Sequence, residues 1–207
     1  DEVREASRLR RWAFAATERR QLEGADGVVA VTQEVAERLR QLYPRVRNIE
    51  VVPNGVDVDR FDRVSQKQAR FELGLDDGPW VGFVGGLFEY RALDRLVEAM
   101  RVVRARIPNA GLLLVGDGPT RPLVEAASHG GVRLVGDVPP ERVPIWLAAM
   151  DVCVLLSTVP AGTSIKVFEY MAAGRPIVAS QGGGVGGLIS ETGAGIAVES
   201  LSPDSIA

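Results

Sequence analysis

A glutamate inside an apolar helical segment is the first chemical signal in this 207-residue chain. Glu169 lies in SIKVFEYMAA, on a stripe with Ile165 and Ala172 that we expect to face inward. A carboxylate held there can accept two hydrogen bonds from a vicinal diol such as that of a ribose. The pattern alone leaves an alternative open, in which Glu169 forms a salt bridge with an arginine at the domain surface.

The start of the same segment has the features of an anion site. Gly162 gives a flexible approach, and Thr163 or Ser164 can cap the predicted helix. The first backbone N–H groups of a helix have no intrahelical partner and carry the positive end of its dipole. A phosphate group suits such a helix start. Gly174 ends the helix, and Arg175 and Pro176 lead into the next strand.

A second candidate segment, VGGLFEYRALDRLVEAM, joins a strand to a helix through glycines. Gly85 and Gly86 let the backbone approach a ligand closely. Arg91 lies just before the helix, from where it can reach a diphosphate. The alternative is an arginine that is simply solvated on a loop.

The pattern Gly182-x-Gly184-x-x-Gly187 follows a predicted strand, and Glu199 ends a later strand. This pattern mimics the dinucleotide-binding fingerprint. Only residues 188–192 separate the glycines from the next turn, which is too short for the helix that the fingerprint requires. We therefore expect a flexible loop at the ligand edge rather than a dinucleotide site.

Composition excludes several classes of function. The chain has one histidine, His129, and one cysteine, Cys153, so neither a soft metal cluster nor a Ser-His-Asp triad is expected. We expect His129 at the surface and Cys153 as a buried, inert thiol. The net charge of −3 argues against nucleic-acid binding. No apolar run reaches the roughly 18 residues of a membrane span, and the N-terminus lacks a signal-peptide core. We expect a cytoplasmic location.

Apolar strands alternate with amphipathic helices from Trp80 onward, which predicts a parallel sheet covered on both faces. Helical spacing is clearest over residues 93–106. Glycines follow several strands, and ligands of open α/β sheets bind at that edge. The predicted strands are WVGFVG, GLLLVG, VRLVG, VCVLLS, PIVAS and residues 195–198.

The chain divides into two predicted parts, residues 1–57 and 58–207. Residues 1–23 read as a basic amphipathic helix, and SPDSIA at the end has the signature of a helix start. We expect a fragment of a larger protein that lacks further C-terminal helices. The first helix either packs within a missing domain or contacts anionic lipid. Its candidate contact residues are Arg8, Arg10, Arg11, Trp12 and Phe14.

An ordered set of motifs resembles the family 4 retaining glycosyltransferases of the GT-B fold. The set comprises VVPNGVD, FVGGLFEYRALDRLVEAM, LLLVGDGP, VRLVGDVP and KVFEYMAAGRPIVAS, and the resemblance covers roughly residues 25 to 200. It implies an α/β, Rossmann-like donor domain over 58–207. It also implies that residues 1–57 are a remnant of an N-terminal acceptor domain with its linker. A nucleotide-diphosphate sugar would bind between the two domains.

The resemblance assigns roles to individual residues. Glu169 matches the second glutamate of the E-x7-E motif, which holds the ribose. Arg91 matches a basic residue that contacts the diphosphate, beside Gly85 and Gly86. Val138 lies where the family places the nucleotide base. The helix start that meets sugar and phosphate corresponds to the amides of Thr163, Ser164, Ile165 and Lys166.

Three positions depart from the family pattern. The first glutamate of E-x7-E falls at Ala161, an arginine after the strand-end glycine falls at Gly86, and a glutamate of the glycine-rich loop falls at Gly187. A serine–x–lysine before FEYMA resembles some bacterial surface-polysaccharide transferases. Lys166 would then supply charge that other members place elsewhere.

The resemblance implies transfer with retention of configuration, without a metal or a resident cofactor, in bacterial polysaccharide or glycoconjugate synthesis. The acceptor would be a sugar or a lipid-linked glycan, with a peripheral contact at the inner face of the membrane as one interpretation. We expect this chain to bind donor without transferring it. Two alternatives stay open: a non-catalytic nucleotide-sugar-binding remnant, and an unrelated Rossmann-type dehydrogenase or interaction module.

Overall fold

Two units divide the chain between Asn54 and Gly55 in a computed structural model. The structure describes residues 14–61, 64–159, 164–182 and 184–207.

The first unit is a short βαβ element with a preceding helix. Helix α1 covers residues 14–23, and the following elements are β1 (Val28–Ala30), α2 (Gln33–Leu42) and β2 (Ile49–Val51). The two strands pair in parallel. Thr32 caps α2, because its hydroxyl accepts a hydrogen bond of 3.1 Å from the Val35 amide. The predicted helix over residues 1–23 is confirmed from residue 14, and residues 1–13 lie outside the described part.

The second unit is built on a six-stranded, all-parallel sheet. Its strands run in the spatial order β5-β4-β3-β6-β7-β8. The chain therefore winds outward from β3 to β5, crosses back to β6, and winds outward the other way. The strands are β3 (Trp80–Val84), β4 (Gly111–Val115), β5 (Val132–Gly136), β6 (Val152–Leu155), β7 (Ile177–Ser180) and β8 (Gly195–Val198).

Helices fill the connections between these strands. Right-handed crossovers place α4 and α5 on one face of the sheet, where α4 also contacts the last helix, α9. By the same rule, α7 and α8, which connect β6 to β7 and β7 to β8, lie on the other face. The helices are α3 (Gln66–Leu73), α4 (Leu93–Arg106), α5 (Arg121–Ala127), α6 (Val143–Ala149), α7 (Ile165–Ala172), α8 (Gly184–Thr192) and α9 (Pro203–Ile206).

The core lies between the sheet and these helices. Every residue of β4 is buried, as expected for a central parallel strand. Trp80, Trp146 and Met150 are buried in this core. Cys153 is also buried, its thiol faces the Met150 sulfur, and burial raises the pKa of that thiol.

A carboxylate joins α3 to the start of β3 and β6. Asp151 accepts hydrogen bonds from the Trp80 amide at 2.6 Å and from the Gln66 side chain at 3.1 Å, and it forms a salt bridge with Arg70. The Arg70 guanidinium also donates to the carbonyl of Ala149. This network fixes the edge of the sheet opposite to the predicted ligand edge.

The segment after β7 differs from the prediction. The expected flexible loop over Gly182–Gly187 is wrong, because α8 begins at Gly184 inside the glycine pattern. The carbonyl oxygen of Gln181 packs so closely against Gly186 that a Cβ there would clash with it. Glycine at 186 therefore serves packing of the helix start against the chain that enters it.

His129 also differs from the prediction of a surface residue. Its side chain is half-buried, and Nε2 lies 3.0 Å from the Val97 carbonyl of α4. This contact ties the loop before β5 to α4.

Candidate functional site

The candidate site lies where the sheet changes winding direction, between the carboxyl ends of β3 and β6. These two strands pair only at Val81 with Val152 and at Gly82 with Cys153. Beyond that point they separate, and the hydroxyl of Tyr170 from α7 takes the place of β6. The Tyr170 hydroxyl accepts a hydrogen bond from the Val84 amide at 3.0 Å and donates to its carbonyl at 3.3 Å. Helix α7 is thereby held in register with the end of β3.

Lys166 of α7 reaches across this gap. Its side chain lies directly over Gly85, the residue after β3, and its Nζ is 2.9 Å from the position that a Cβ there would occupy. Gly85 also has a φ of 149°, which favours glycine. The close approach of a ligand to Gly85 stays a prediction; in the structure the Lys166 side chain lies over this glycine.

Two cations meet at this point. Burial lowers the pKa of Lys166, with Arg91 lowering it further and Glu169 raising it, so all three side chains interact electrostatically. Arg91 lies over the ring of Tyr90 at 4.8 Å. Within the described residues, neither Lys166 nor Arg91 forms a salt bridge or a side-chain hydrogen bond. Among the described residues, the two cations therefore interact with Glu169 only at longer range and with no carboxylate at salt-bridge distance.

Glu169 lies on a different face of α7 from the one predicted. The buried stripe consists of Val167 and Tyr170, whereas Ile165 is 49% exposed and Glu169 is half-buried. The expected inward stripe is therefore wrong at Ile165, whereas Ala172 packs against the core as expected. The alternative of a Glu169–arginine salt bridge is also not found among the described residues. The carboxylate is available for hydrogen bonding.

The start of α7 has the predicted cap position. Ser164 has extended backbone at the N-cap, but its side chain makes no capping hydrogen bond. Its carbonyl accepts a hydrogen bond from the Val167 amide at 3.1 Å. The amides of Ile165 and Lys166 come before the first i−4 partner of the helix. Thr163 lies outside the described residues, as does Ala161.

The loops after β3 and β4 are packed backbone against backbone. A Cβ at Gly118 would lie 2.5 Å from the Leu87 carbonyl oxygen, and the Leu87 amide donates to the Asp117 carbonyl at 2.9 Å. Thr120 adds a 2.8 Å hydrogen bond from its hydroxyl to the Leu87 carbonyl. The loop that carries Gly85, Gly86 and Arg91 is therefore fixed before any ligand binds.

Val138 follows β5 at the same edge of the sheet and is half-buried against the core. The structure brings Gly85, Arg91, Lys166 and Glu169 together, whereas Val138 lies two strands away from β3 in the sheet order. Sequence reasoning missed Tyr170. The available signal was the position of Tyr170, which directly follows Glu169 and lies three residues after Val167 on the buried face of α7.

Gly86 has a neighbour that the sequence did not indicate. A Cβ at this position would lie 3.0 Å from the Cδ2 atom of Phe88, whose ring leans over it. The aromatic ring thus covers the place where the family arginine would begin.

The part of the chain that the structure describes has neither a metal cluster nor a membrane-spanning helix. No group of three or more His, Cys, Asp or Glu side chains there could hold a metal ion. None of the helices in that part is both long and apolar enough to cross a bilayer.

Comparison with known proteins decides the family. The domain family described as "Glycosyl transferases group 1" matches residues 78–207, well over half of the chain. The chain belongs to the group 1 glycosyl transferases. A second family, "Glycosyltransferase Family 4", matches residues 3–60. The resemblance inferred from the ordered motifs is confirmed, and so is the Rossmann-like α/β class.

Individual relatives agree with the group 1 assignment. The chain is 33% identical over 200 residues to a 2-deoxystreptamine glucosyltransferase of Streptomyces kanamyceticus, covering 90% of this chain and 50% of that protein. It is 29% identical over 198 residues to a GDP-mannose-dependent phosphatidylinositol monomannoside mannosyltransferase of Mycobacterium tuberculosis, covering 89% and 51%. The group 1 chain thus spans about half the length of the curated relatives it matches.

A solved structure shows the same fold. Anabaena HepE, crystallised with UDP and glucose, superposes with a TM-score of 0.74 at 22% identity, over 88% of this chain and 52% of HepE.

Proposed function

We propose that the second unit of this group 1 glycosyl transferase binds a nucleotide-diphosphate sugar at the gap between β3 and β6. The observation that carries this proposal is the half-buried Lys166 over Gly85, whose charge interacts with that of Arg91 and makes no salt bridge among the described residues. Two like charges in a half-buried site repel each other, and each has lost part of its hydration. A diphosphate supplies the compensating charge and accepts charge-assisted hydrogen bonds from both.

The other predicted residues complete a donor site by their chemistry. Glu169 is half-buried on the same helix as Lys166, one turn further on. Its carboxylate can accept hydrogen bonds from both hydroxyls of a ribose. The amides of Ile165 and Lys166 donate toward phosphate or sugar oxygens at the start of α7. Val138 offers an apolar contact to the base from the end of β5.

The same arrangement supports departure of the diphosphate. Negative charge develops on the leaving oxygen when the glycosidic bond breaks, and donors that are already in place stabilise it. Lys166, Arg91 and the helix-start amides are held by the Tyr170–Val84 contact and by the packed loops. We propose that they take the role that a divalent metal has in other transferases. Transfer would retain the anomeric configuration.

The partners of the whole protein are part of the proposal. The relatives include a glucosyltransferase and a GDP-mannose-dependent mannosyltransferase, and the HepE structure contains UDP. We propose a hexosyl donor and an acceptor that is a sugar or a lipid-linked glycan, in polysaccharide or glycoconjugate synthesis. The setting would be cytoplasmic, with a peripheral contact at the inner face of the membrane.

Calorimetric titration of the chain with UDP, GDP and ADP tests the donor site. We expect one of the three to bind with clear preference and Glu169→Ala to weaken that binding about 10-fold or more, because a charged hydrogen-bond acceptor is lost. Glu191→Ala is the matched control, since Glu191 is an exposed glutamate on α8. Folded protein that binds none of the three nucleotides would overturn the proposal.

A second candidate function is nucleotide-sugar binding without transfer. It is favoured by Gly86, where the family arginine is replaced and the space is covered by Phe88. The resemblance also places acceptor binding in a separate N-terminal domain. We therefore expect this chain to bind donor but not to release labelled sugar onto an acceptor. Donor-dependent sugar transfer by the chain would contradict this expectation.

A further inference from the structure

A cavity of about 490 Å³ opens beside the N-terminal end of α4. Its apolar lining comes from Phe88, Tyr90, Leu123 and Val159. Leu123 and Val159 are 55% and 50% exposed, so the structure leaves a contiguous apolar surface open to solvent there. Gly85, Arg91, Lys166 and Glu169 are not among its lining residues, so the cavity is distinct from the cation site.

The two aromatic rings of this cavity are stacked and held in place. Phe88 and Tyr90 have ring centroids 5.8 Å apart and planes within 7° of each other. The Arg91 amide donates to the Phe88 carbonyl at 2.9 Å, and the Thr158 amide donates to the Tyr90 carbonyl at 2.8 Å. The Phe88 ring leans over Gly86 yet stays 43% exposed. The loop thus presents an ordered aromatic surface that costs little entropy on binding.

Two carboxylates stand at the rim of this aromatic surface. Glu89 and Asp94 line the cavity, and neither forms a salt bridge or a side-chain hydrogen bond within the described residues. The exposed Thr158 and the half-buried Thr120 add hydroxyl groups. Because Arg95 is the only cationic residue among the lining residues, the rim carries a net negative charge. Arg91, which lies over the Tyr90 ring, adds a cation close to the cavity without lining it. The two carboxylates of the lining disfavour a phosphate next to them.

We propose that this cavity is a carbohydrate site that holds one pyranose ring of an uncharged glycan. A pyranose has an apolar face of C–H groups and an edge of hydroxyls. The aromatic pair can pack against the C–H face, and the carboxylates of Glu89 and Asp94 can accept hydrogen bonds from the hydroxyls. The volume lies within the roughly 300–1,000 Å³ that is usual for small-molecule sites. That the glycan is the acceptor chain rests on the proposed function; binding of the ring itself does not.

Amide NMR of the full chain with methyl α-D-glucopyranoside, methyl α-D-mannopyranoside and N-acetylglucosamine tests the site. We expect at least one of these to shift the amides of residues 88–95, 120 and 158 below about 100 mM. Phe88→Ala should weaken this binding about two- to tenfold through the lost ring contact. Asp94→Ala should weaken it independently of the ring. Phe71→Ala is the matched control, because Phe71 is 89% exposed on α3 and does not line the cavity.

UDP added to the same samples separates this inference from the proposed donor site. We expect UDP to shift residues near Gly85 and Lys166 without displacing the pyranoside. If UDP fails to bind while a pyranoside shifts the cavity residues, the donor proposal fails and the carbohydrate site stands. Three outcomes would overturn the carbohydrate site: none of the saccharides shifts the cavity residues, Phe88→Ala leaves the shifts unchanged, or uridine occupies the cavity instead.

Discussion

The hydroxyl of Tyr170 satisfies both backbone hydrogen-bonding groups of Val84, at the point where β6 has separated from β3. A side chain from α7 therefore substitutes for one residue of a neighbouring strand. Lys166 lies at the gap that results, over Gly85. Because Tyr170 and Lys166 are one turn apart on the same helix, the contact that closes the sheet also sets the position of the cation.

Tyr170→Phe should lower the stability of the second unit by about 1–3 kcal/mol, because the buried amide and carbonyl of Val84 lose their partner. Urea unfolding measures this loss. Because burial raises the pKa of the Tyr170 hydroxyl, it stays protonated throughout the usual pH range, and the loss should not depend on pH there. UDP affinity should fall as well, since α7 loses its register. Tyr90→Phe is the control, because no hydrogen bond from its hydroxyl occurs among the described residues. Equal stability of both variants would refute this role for Tyr170.

Lys166→Ala should weaken UDP binding about 10-fold or more, since it removes a charge-assisted hydrogen bond to the diphosphate. The chain has only one other lysine, Lys67, which is exposed on α3. Lys67→Ala is therefore a matched control with the same change of net charge. Similar affinities for the two variants would show that bulk charge, and not the position of Lys166, determines binding.

Gly85→Ala should weaken UDP binding, although it adds only a methyl group. The new Cβ would contact the Lys166 side chain at a φ of 149°, so the lysine must move and the backbone is strained. We expect a loss of stability of about 1–3 kcal/mol together with weaker UDP binding. Gly130→Ala is the control, because a Cβ there meets nothing within 4 Å. Wild-type affinity in Gly85→Ala would contradict the proposed placement of Lys166.

UDP binding should weaken with rising pH. Burial lowers the pKa of free Lys166 from its usual value of 10.5, whereas a bound diphosphate favours the charged amine. Binding therefore takes up a proton once the pH exceeds the lowered pKa, and the affinity then falls by up to about tenfold per pH unit. Titrations between about pH 7 and pH 10 measure this fall. Lys166→Arg should remove this fall of affinity, since a guanidinium stays protonated. The same pH dependence of UDP affinity in Lys166→Arg and in the unmodified chain would contradict the prediction.

Asp151→Asn should destabilise the second unit by about 1–3 kcal/mol, because the Arg70 side chain, only 12% exposed, keeps a charge whose partner has become neutral. The amide of Trp80 would also lose a charged acceptor. Glu98→Gln is the control, since its salt bridge with Arg101 is exposed on α4 and should contribute under about 1 kcal/mol. Thermal unfolding of the two variants would show equal losses if the network were unimportant.

Periodicity was sufficient to predict most of the second unit. The helix over residues 93–106 and the strand over residues 195–198 have the predicted bounds, because their apolar residues follow the period of the element. α8 was missed because glycine has a low helix propensity, and tertiary packing overrides that propensity. Val185 and Ile189 are buried, so the helix is held by its apolar side and not by its backbone preference.

The site was only partly predictable for a related reason. Residue types predicted an anion site at Arg91 and at the start of α7, and sequence spacing placed both at the same sheet edge. Spacing could not determine which face of α7 is buried, because both Ile165–Glu169 and Val167–Tyr170 have helical separations. Nor could it predict that Lys166 crosses to Gly85, since that contact joins residues 81 positions apart.

The burial of Cys153 makes the chain suitable for site-specific labelling. The thiol is fully covered and its pKa is raised, so it offers almost no thiolate to a maleimide while β6 stays in the sheet. A second cysteine introduced by Phe71→Cys would accept a fluorophore without replacement of the native one. Modification of Cys153 itself would then occur only when the sheet opens, so its rate reports how often the core is exposed to solvent.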